Sequence, residues 1–110
     1  MGITKSDIFT SYQNELAQLA KTLGHPARIA ILQYVAKSEG CICGDLVEEI
    51  GLAQATISQH LRELKNIGVI QGTIEGTSVC YCINPTRWEE VRIMISSFFN
   101  IRDIKNESCC

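Results

Sequence analysis

The chain has 110 residues, a length that suits one compact domain with its own hydrophobic core. Hydrophobic residues make up 45% of it and charged residues 20%, and no apolar run is long enough to cross a bilayer, so the composition is that of a globular protein and excludes a membrane-spanning one. The formal net charge of −2 excludes a uniformly basic surface, so any contact with phosphate depends on locally placed cations.

The N-terminal residues Met1 to Asp7 hold neither the basic region nor the apolar run of a secretory signal. We therefore expect a cytoplasmic protein with no membrane partner, in a compartment that keeps thiols reduced. The six cysteines fall into three close pairs: Cys41 and Cys43, Cys80 and Cys82, and Cys109 and Cys110.

Apolar residues spaced three and four apart predict two helices in the first third of the chain. The first covers residues 8–23, with Ser6 or Asp7 as its cap, and the second begins at Pro26 and continues to Val35. Three apolar side chains of the second helix are predicted to face the core: Ile29, Leu32 and Val35.

Residues 43–67 are predicted to form two helices separated by a tight turn. The shorter one covers residues 43–50 and stops at Gly51, which acts as a C-terminal glycine cap. The longer one runs from Ala53 to Ile67. Predicted inward residues of the two helices are Leu46, Val47, Ile50, Ile57, Leu61, Leu64 and Ile67.

The apolar period changes to two over residues 69–83, which predicts a small β-hairpin with Tyr81 and its apolar neighbours facing the core. A last helix follows, beginning at about Thr86. We expect residues 8–23 and 86–104 to be dimerisation helices, because their apolar stripes exceed what one domain covers. Residues 105–110 are expected to be a loose tail. The fold class is therefore mainly α with a small β-hairpin wing, a single winged helix-turn-helix domain over residues 1–110 whose dimer is built from the first and last helices.

A short helix, a glycine turn and a second helix with polar residues form the unit that places a helix in the major groove of DNA. Glutamine hydrogen-bonds adenine edges, and serine and threonine bind bases or phosphates. Seven side chains are predicted to contact a double-stranded operator: Gln54, Thr56, Ser58, Gln59, His60, Arg62 and Lys65. For each one taken alone, an ordinary exposed polar side chain is an equally good interpretation.

The segments Leu23-Gly24-His25-Pro26-Ala27-Arg28-Ile29-Ala30-Ile31-Leu32, Cys43-Gly44-Asp45-Leu46 and Gln54-Ala55-Thr56-Ile57-Ser58-Gln59-His60-Leu61 resemble the ArsR/SmtB family of bacterial metal-responsive repressors. The resemblance implies a homodimer that holds an operator and releases it when a metal, a metalloid or thiol oxidation alters the dimer. Three features depart from the family pattern. Ala53 replaces the usual Ser or Thr cap, at a cost of about 1 kcal/mol, and the wing lacks Arg and Lys. The third is the position of the first cysteine pair.

Soft thiolates select thiophilic ions, so Cys41 and Cys43 are candidate ligands for arsenite or a soft metal ion acting as inducer, with no cofactor otherwise required. Gly44 displaces the pair by one residue from the position that the family's Cys-x-Cys ligands occupy before Asp-Leu. Cys109 and Cys110 are candidates for a further sulfur, reaching across to the partner, or are simply unordered. Cys80 and Cys82 share one side of a strand and are interpreted as a second chelate or, preferentially, as incidental wing residues.

No phosphate-binding glycine loop, paired catalytic carboxylates or metalloprotease signature is present, and the cysteine pairs lack Cys-x-x-Cys spacing, so we expect no enzymatic activity. Two alternatives to a metal-responsive repressor stay open. One is a repressor that responds to thiol oxidation. The other is a winged-helix protein-interaction module with weak DNA binding, which the negative net charge and the wing without cations favour.

Overall fold

The structure, a computed structural model, describes residues 5–38, 40–43, 46–73 and 80–101, without the side chains of residues 5, 6, 43 and 47. Its elements follow in chain order as α1 (Lys5–Ile8), α2 (Ser11–Leu23), α3 (Pro26–Lys37), β1 (Ile42–Cys43), α4 (Leu46–Ile50), α5 (Gln54–Asn66), β2 (Ile70–Thr73), β3 (Cys80–Ile83) and α6 (Pro85–Phe99). The predicted class, mainly helical with a small antiparallel hairpin, is confirmed.

The first predicted helix is interrupted near its start. Thr10 is the N-cap of α2: its hydroxyl oxygen accepts from the Gln13 amide at 3.0 Å, and the Gln13 side chain accepts from the Thr10 amide at 3.0 Å. This capping box fixes the start of α2 at Ser11. The prediction of one helix over residues 8–23 capped by Ser6 or Asp7 is therefore wrong at its N-terminal end, where α1 is separate.

Helix α3 begins at Pro26, as predicted, and its N-cap is His25, whose Nδ1 accepts from the Ala27 amide at 3.1 Å. Leu32 is buried as expected, and so is Val35. The prediction that Ile29 faces the core is wrong, since this side chain is 44% exposed. The fully buried isoleucine of the helix is Ile31.

The helix-turn-helix consists of α4, a turn and α5. Gly51 has a φ of 84°, a backbone conformation that glycine adopts without steric cost, so its predicted role at the end of the helix is confirmed. Helix α4 is shorter than the predicted residues 43–50, because Cys43 belongs to a strand. Leu46 is buried as predicted, Ile50 is half-buried, and the side chain of Val47 lies outside the described part.

The sheet has three antiparallel strands in the order β1-β3-β2. Its hairpin, β2 with β3, was predicted, and β1 was not. Gly72 lies opposite Tyr81 with a φ of 131°, and a Cβ there would approach the Cα of Tyr81 to 2.7 Å, so the close strand pairing requires glycine. Residues 74–79, which include the predicted tip of the wing, lie outside the described residues.

The hydrophobic core lies between the helix-turn-helix, α2, α3 and the inner face of the sheet. All four residues of the predicted α5 stripe are buried: Ile57, Leu61, Leu64 and Ile67. Tyr81 is buried on the inner face of the sheet, as predicted, and Val91 is the buried apolar residue of α6. No helix within the described ranges combines the length and apolar character that crossing a bilayer requires.

Candidate nucleic-acid interface and thiol site

Helix α5 presents a polar face to solvent opposite its apolar stripe. Its N-cap, Ala53, makes no side-chain hydrogen bond to the helix, as its methyl group predicts. The first amide groups of α5 are therefore without the side-chain acceptor that a Ser or Thr cap provides, and such amides bind phosphate oxygens well. Five of the seven predicted DNA-contacting residues are exposed: Gln54, Thr56, Gln59, Arg62 and Lys65.

Two of the polar residues are bonded along the helix to side chains one turn away. The Gln54 side-chain amide donates to the hydroxyl of Ser58 at 3.1 Å, and Ser58 is half-buried. The Gln59 amide donates to the Glu63 carboxylate at 3.3 Å. Such surface bonds are weak, so both glutamines are able to exchange them for contacts to DNA bases.

His60 is not a surface residue. It is 7% exposed, its Nδ1 accepts a hydrogen bond from Nε of Arg28 at 3.1 Å, and its ring centroid lies 4.5 Å from that of His25. Burial lowers the pKa of His60, and the nearby His25 and Arg28 lower that pKa further. The prediction that His60 lies outside the apolar stripe is wrong. The side chain is buried and packs against α3, on the side of α5 that faces the core.

Lys65 joins the recognition helix to the wing. Its Nζ donates to the carbonyl oxygen of Gly72 at 2.7 Å. Lys65 is exposed, so its charge remains accessible to solvent. This bond links the last turn of α5 to β2.

Arg87 is a structural residue that sequence reasoning missed. Its Nε donates to the carbonyl oxygen of Ile67 at 2.9 Å, and its other nitrogens bind Glu15 at 3.1 Å and Glu90 at 3.2 Å. Desolvation by burial is the largest single influence on the pKa of Arg87 and lowers it. Glu15 and Glu90 together outweigh desolvation, so the pKa of Arg87 is raised. The side chain therefore joins α2, α5 and α6. No sequence signal predicts it, since two of its partners are 20 and 72 positions away.

Two of the predicted thiols interact beside the β1–β3 pairing: Cys41 directly precedes β1, and Cys82 lies on β3. Cys41 and Cys82 are both free, and a hydrogen bond with Cys82 raises the pKa of Cys41. The side-chain amide of Gln71 lies 3.8 Å from the Cys82 sulfur. Cys80 is disulfide-bonded, and the residue opposite it on β1 is Cys43.

Not all of the predicted ligands can be placed. The side chain of Cys43 and the whole of Cys109 and Cys110 lie outside the described part of the chain. Within the described part, no group of three or more His, Cys, Asp or Glu side chains is gathered around a position for a metal ion. The proximity of Cys41 to Cys82 was not predicted, because strand β1 was not.

A short helix, a glycine turn, an exposed second helix and an antiparallel hairpin define a winged helix-turn-helix transcriptional regulator. A sequence model of the family described as bacterial regulatory protein, arsR family, matches residues 25–71. This range holds α3, β1, both helices of the helix-turn-helix and the start of β2.

Curated relatives agree with this class. An uncharacterized HTH-type transcriptional regulator of Methanocaldococcus jannaschii is 36% identical over 76 residues, which cover 68% of this chain and 84% of the relative. The regulator YgaV of Escherichia coli is 30% identical over 79% of this chain and 85% of its own length. The biofilm growth-associated repressor of Xylella fastidiosa is 38% identical over 53% of this chain and half of its own length.

Solved structures show the same fold. The Mycobacterium tuberculosis protein Rv0081 superposes with a TM-score of 0.62 and 28% identity over 83% of this chain and 92% of its own. The transcriptional repressor BigR from Xylella fastidiosa superposes with a TM-score of 0.59 and 26% identity over 93% of this chain and all of its own. The chain belongs to the ArsR family of bacterial transcriptional regulators, and its relatives are regulators rather than enzymes.

Proposed function

We propose that this protein is a homodimeric, sequence-specific DNA-binding repressor of the cytoplasm, which leaves its operator when a thiophilic metal or metalloid such as arsenite binds cysteine thiolates. The observation that carries the DNA-binding part is the exposed polar face of α5. The sensing part is supported by the position of Cys41 and Cys43 in the sequence, immediately before the helix-turn-helix.

The DNA-contacting residues proposed on α5 are Gln54, Thr56, Ser58, Gln59, Arg62 and Lys65. Gln59 and Arg62 lie three positions apart, on one helix face, so both reach the same groove. In this arrangement Gln59 reads a base edge while Arg62 contacts a base or a phosphate. His60 is withdrawn from this set because its acceptor nitrogen is already bonded to Arg28.

A dimer formed by residues 8–23 and 86–104 is supported by apolar side chains that remain exposed on the single chain. Within the described ranges, the large ones at the two chain ends are Ile8, Phe9, Tyr12, Ile93, Phe98, Phe99 and Ile101. A groove of about 480 Å³ between α2 and α6 is lined by Leu16, Ala20 and Phe98 among others. A second copy that covers this surface presents two recognition helices by two-fold symmetry, as paired half-sites require.

The dimer has its own test. Phe99 is 75% exposed, so Phe99→Glu leaves the monomer core intact and places a charge in the proposed interface. We expect sedimentation velocity to give a dimer for the wild type and a shift toward monomer for the variant. A matched control, Ala55→Glu on the exposed face of α5, leaves the association state unchanged. A monomeric wild type at micromolar concentration contradicts the dimer.

The inducer site is proposed on Cys41 and Cys43, which lie immediately before the helix-turn-helix. Cys109 and Cys110 are proposed as additional sulfur ligands that reach the site from the partner's tail. Thiophilic ions bind deprotonated sulfur. Two residues separate the end of β1 from the start of α4, so an ion bound at this pair lies next to the helix-turn-helix.

A second candidate, a repressor that responds to thiol oxidation, is favoured by two specific observations. Cys80 is disulfide-bonded, and the free thiols of Cys41 and Cys82 are in contact. An oxidant such as a peroxide removes two electrons and two protons from such a pair, forming a disulfide and water.

A gel-shift experiment on the protein's own promoter region tests the proposal. In low salt, where attraction to phosphate is strongest, we expect a protein–DNA complex that arsenite dissociates. We expect Cys41→Ser or Cys43→Ser to abolish this response to arsenite. Release by peroxide alone, reversed by a reductant, supports the redox candidate instead. Absence of any shift in low salt overturns the repressor and favours a protein-interaction module.

A further inference from the structure

One guanidinium group connects α5 to the end of α2. Nε of Arg28 donates to Nδ1 of His60 on α5 at 3.1 Å, and Nη1 of the same side chain donates to the carbonyl oxygen of Thr22 at 3.0 Å. Thr22 is a buried residue in the last turn of α2, where carbonyl groups have no partner within the helix. Because the guanidinium group is planar and rigid, a shift of one acceptor also disturbs the bond to the other.

Arg28 is one of two arginines that connect α5 to α2. Arg87 binds the end of α5 through the carbonyl oxygen of Ile67 and binds α2 through Glu15. Arg28 acts at the middle of α5, where its acceptor is an imidazole nitrogen. Imidazole is the side chain that ordinarily changes its charge between about pH 5 and pH 8. Only the Arg28 connection therefore includes a group that titrates near neutral pH.

Proton uptake by His60 from solvent removes the acceptor of the Arg28 bond. Neutral imidazole accepts a hydrogen bond at one nitrogen, whereas the imidazolium ion carries a proton on both nitrogens and accepts none. The proton on Nδ1 then points at the Nε–H of Arg28, so two donors and two positive charges face each other. Since His60 is buried, water does not readily replace the lost partner.

The surroundings of His60 oppose its charged form. Across the described part of the chain, the ionisable side chains that act on His60 are His25 and Arg28, both at the start of α3, and burial together with these two lowers its pKa. On α5 itself, the carboxylate of Glu63 accepts from Gln59. Strand β2 carries no charged residue. The charged side chains of α2 and α4, which also pack against α5, are all exposed: Glu15, Lys21, Glu48 and Glu49.

We infer that Arg28 is a positioning residue for DNA binding: its guanidinium group, shared between the Thr22 carbonyl and the unprotonated Nδ1 of His60, holds α5 against α2, and proton uptake by His60 releases α5. The inference rests on the proposed function, since α2 is a proposed dimerisation helix and α5 the proposed reading helix. In a dimer on paired half-sites, the placement of α5 relative to α2 sets the distance between the two reading helices. Acidification therefore weakens DNA binding although neither Arg28 nor His60 contacts DNA.

The sign of this effect distinguishes it from general electrostatic attraction. A proton on any histidine adds positive charge, which by itself strengthens attraction to phosphate. The proposed effect runs in the opposite direction. Because the pKa of His60 in the folded protein is lowered, its contribution to DNA affinity is fully present above about pH 6.5 and is lost as the pH falls below that value.

Operator affinity as a function of pH tests the inference, measured by fluorescence anisotropy on the protein's own promoter fragment at constant salt. We expect the wild-type affinity to fall by about three- to tenfold from about pH 7.5 to about pH 5.5. The chain has two histidines, so matched substitutions separate them. His60→Asn carries an oxygen near the position of Nδ1 and does not titrate, so the fall disappears. His25→Asn keeps an acceptor that caps α3, and the fall remains.

The opposite results overturn the inference. These are a wild-type affinity that stays constant or rises on acidification, a fall that persists in His60→Asn, and a fall that disappears in His25→Asn. Arg28→Lys keeps the positive charge and loses the two-acceptor geometry, so we expect its affinity at about pH 7.5 to approach the low-pH value of the wild type. Wild-type affinity in Arg28→Lys at that pH also overturns the inference.

Nuclear magnetic resonance of the free protein separates this inference from the proposed function. We expect the amide signals of Gln54 and Thr56, at the start of α5 and at least one turn from His60, to shift with the same midpoint as the His60 ring and to stay constant in His60→Asn. A His60 ring that titrates while these amides do not follow overturns the positioning of α5, and so does a loss of the helical circular-dichroism signal at that midpoint, which indicates unfolding. If the amides follow the ring and no DNA binds at any pH, the positioning of α5 by Arg28 is supported and the proposed function fails.

Discussion

The guanidinium Nε of Arg87 lies 2.9 Å from the carbonyl oxygen of Ile67, so the first turn of α6 is bonded to the end of the recognition helix. The same guanidinium group binds Glu15 on α2. Gly68 makes room for this arrangement, since a Cβ there would lie 3.0 Å from the Arg87 side chain. The side chain therefore joins the helix proposed to read DNA to both helices proposed to form the dimer.

Removing this side chain destabilises the fold more than removing an ordinary surface arginine. We expect Arg87→Ala to lower the free energy of unfolding by about 1–3 kcal/mol, because hydrogen bonds to charged groups are lost and a helix-terminal carbonyl loses its partner. The control is Arg92→Ala, which removes an exposed pair with Glu89 on the same helix and costs about 0–1 kcal/mol. Urea unfolding checks both, and equal losses contradict the role of Arg87.

Two glycines with positive φ differ in what surrounds them. Gly51→Ala places a methyl group in open space, so its cost is the backbone strain alone, about 1–2 kcal/mol. Gly72→Ala adds a collision with the backbone of β3, and we expect a clearly larger loss in the free energy of unfolding. Urea unfolding of both variants measures the difference. A loss of unfolding free energy in Gly72→Ala that is no greater than the loss in Gly51→Ala would contradict the close pairing of β2 with β3.

The exposed face of α5 predicts two distinct DNA-binding phenotypes. Gln59→Ala is expected to weaken operator binding by about 1–3 kcal/mol and to relax sequence preference, because a base contact is lost. Arg62→Ala is expected to reduce the slope of log affinity against log salt by about 1 if it contacts phosphate. The control Lys37→Ala removes the same charge from the end of α3. Binding changes in the control as large as those of Arg62→Ala would count against α5 as the reading helix.

The buried His60 makes stability depend on pH. Its pKa in the folded protein is lowered, chiefly by burial, so the unfolded chain binds the proton more readily. The His60 contribution is fully present above about pH 6.5, the unfolded value, and is lost as the pH falls below it. We expect the wild type to lose more unfolding free energy between pH 7.5 and pH 5.5 than His60→Gln, which does not titrate. Parallel pH profiles would contradict this assignment.

Local pattern was enough to predict the helix-turn-helix. The spacing of Ile57, Leu61 and Leu64 defines the buried stripe of α5, and the glycine at position 51 marks the end of the preceding helix. The missing cap at Ala53 follows directly from its methyl side chain. These features depend on residues within one or two helical turns of each other.

Tertiary contacts account for what the sequence left unpredicted. Strand β1 has two residues, too few to show a period, and it exists because Ile42 pairs with Tyr81 on a strand 39 positions later. His60 is polar and was placed on the surface, but its partner Arg28 is 32 positions earlier in the chain. The contact between Cys41 and Cys82 follows from the same unpredicted pairing of β1 with β3.

Binding of the purified, reduced protein to a labelled fragment of its own promoter, followed by fluorescence anisotropy at increasing salt concentrations, tests the central claim most directly. We predict a complex of one dimer per site whose affinity falls linearly on a logarithmic salt scale and is weakened by Gln59→Ala. Failure to bind that fragment at about 50 mM salt, or an affinity that Gln59→Ala and Arg62→Ala leave unchanged, would contradict a repressor that reads its operator with α5.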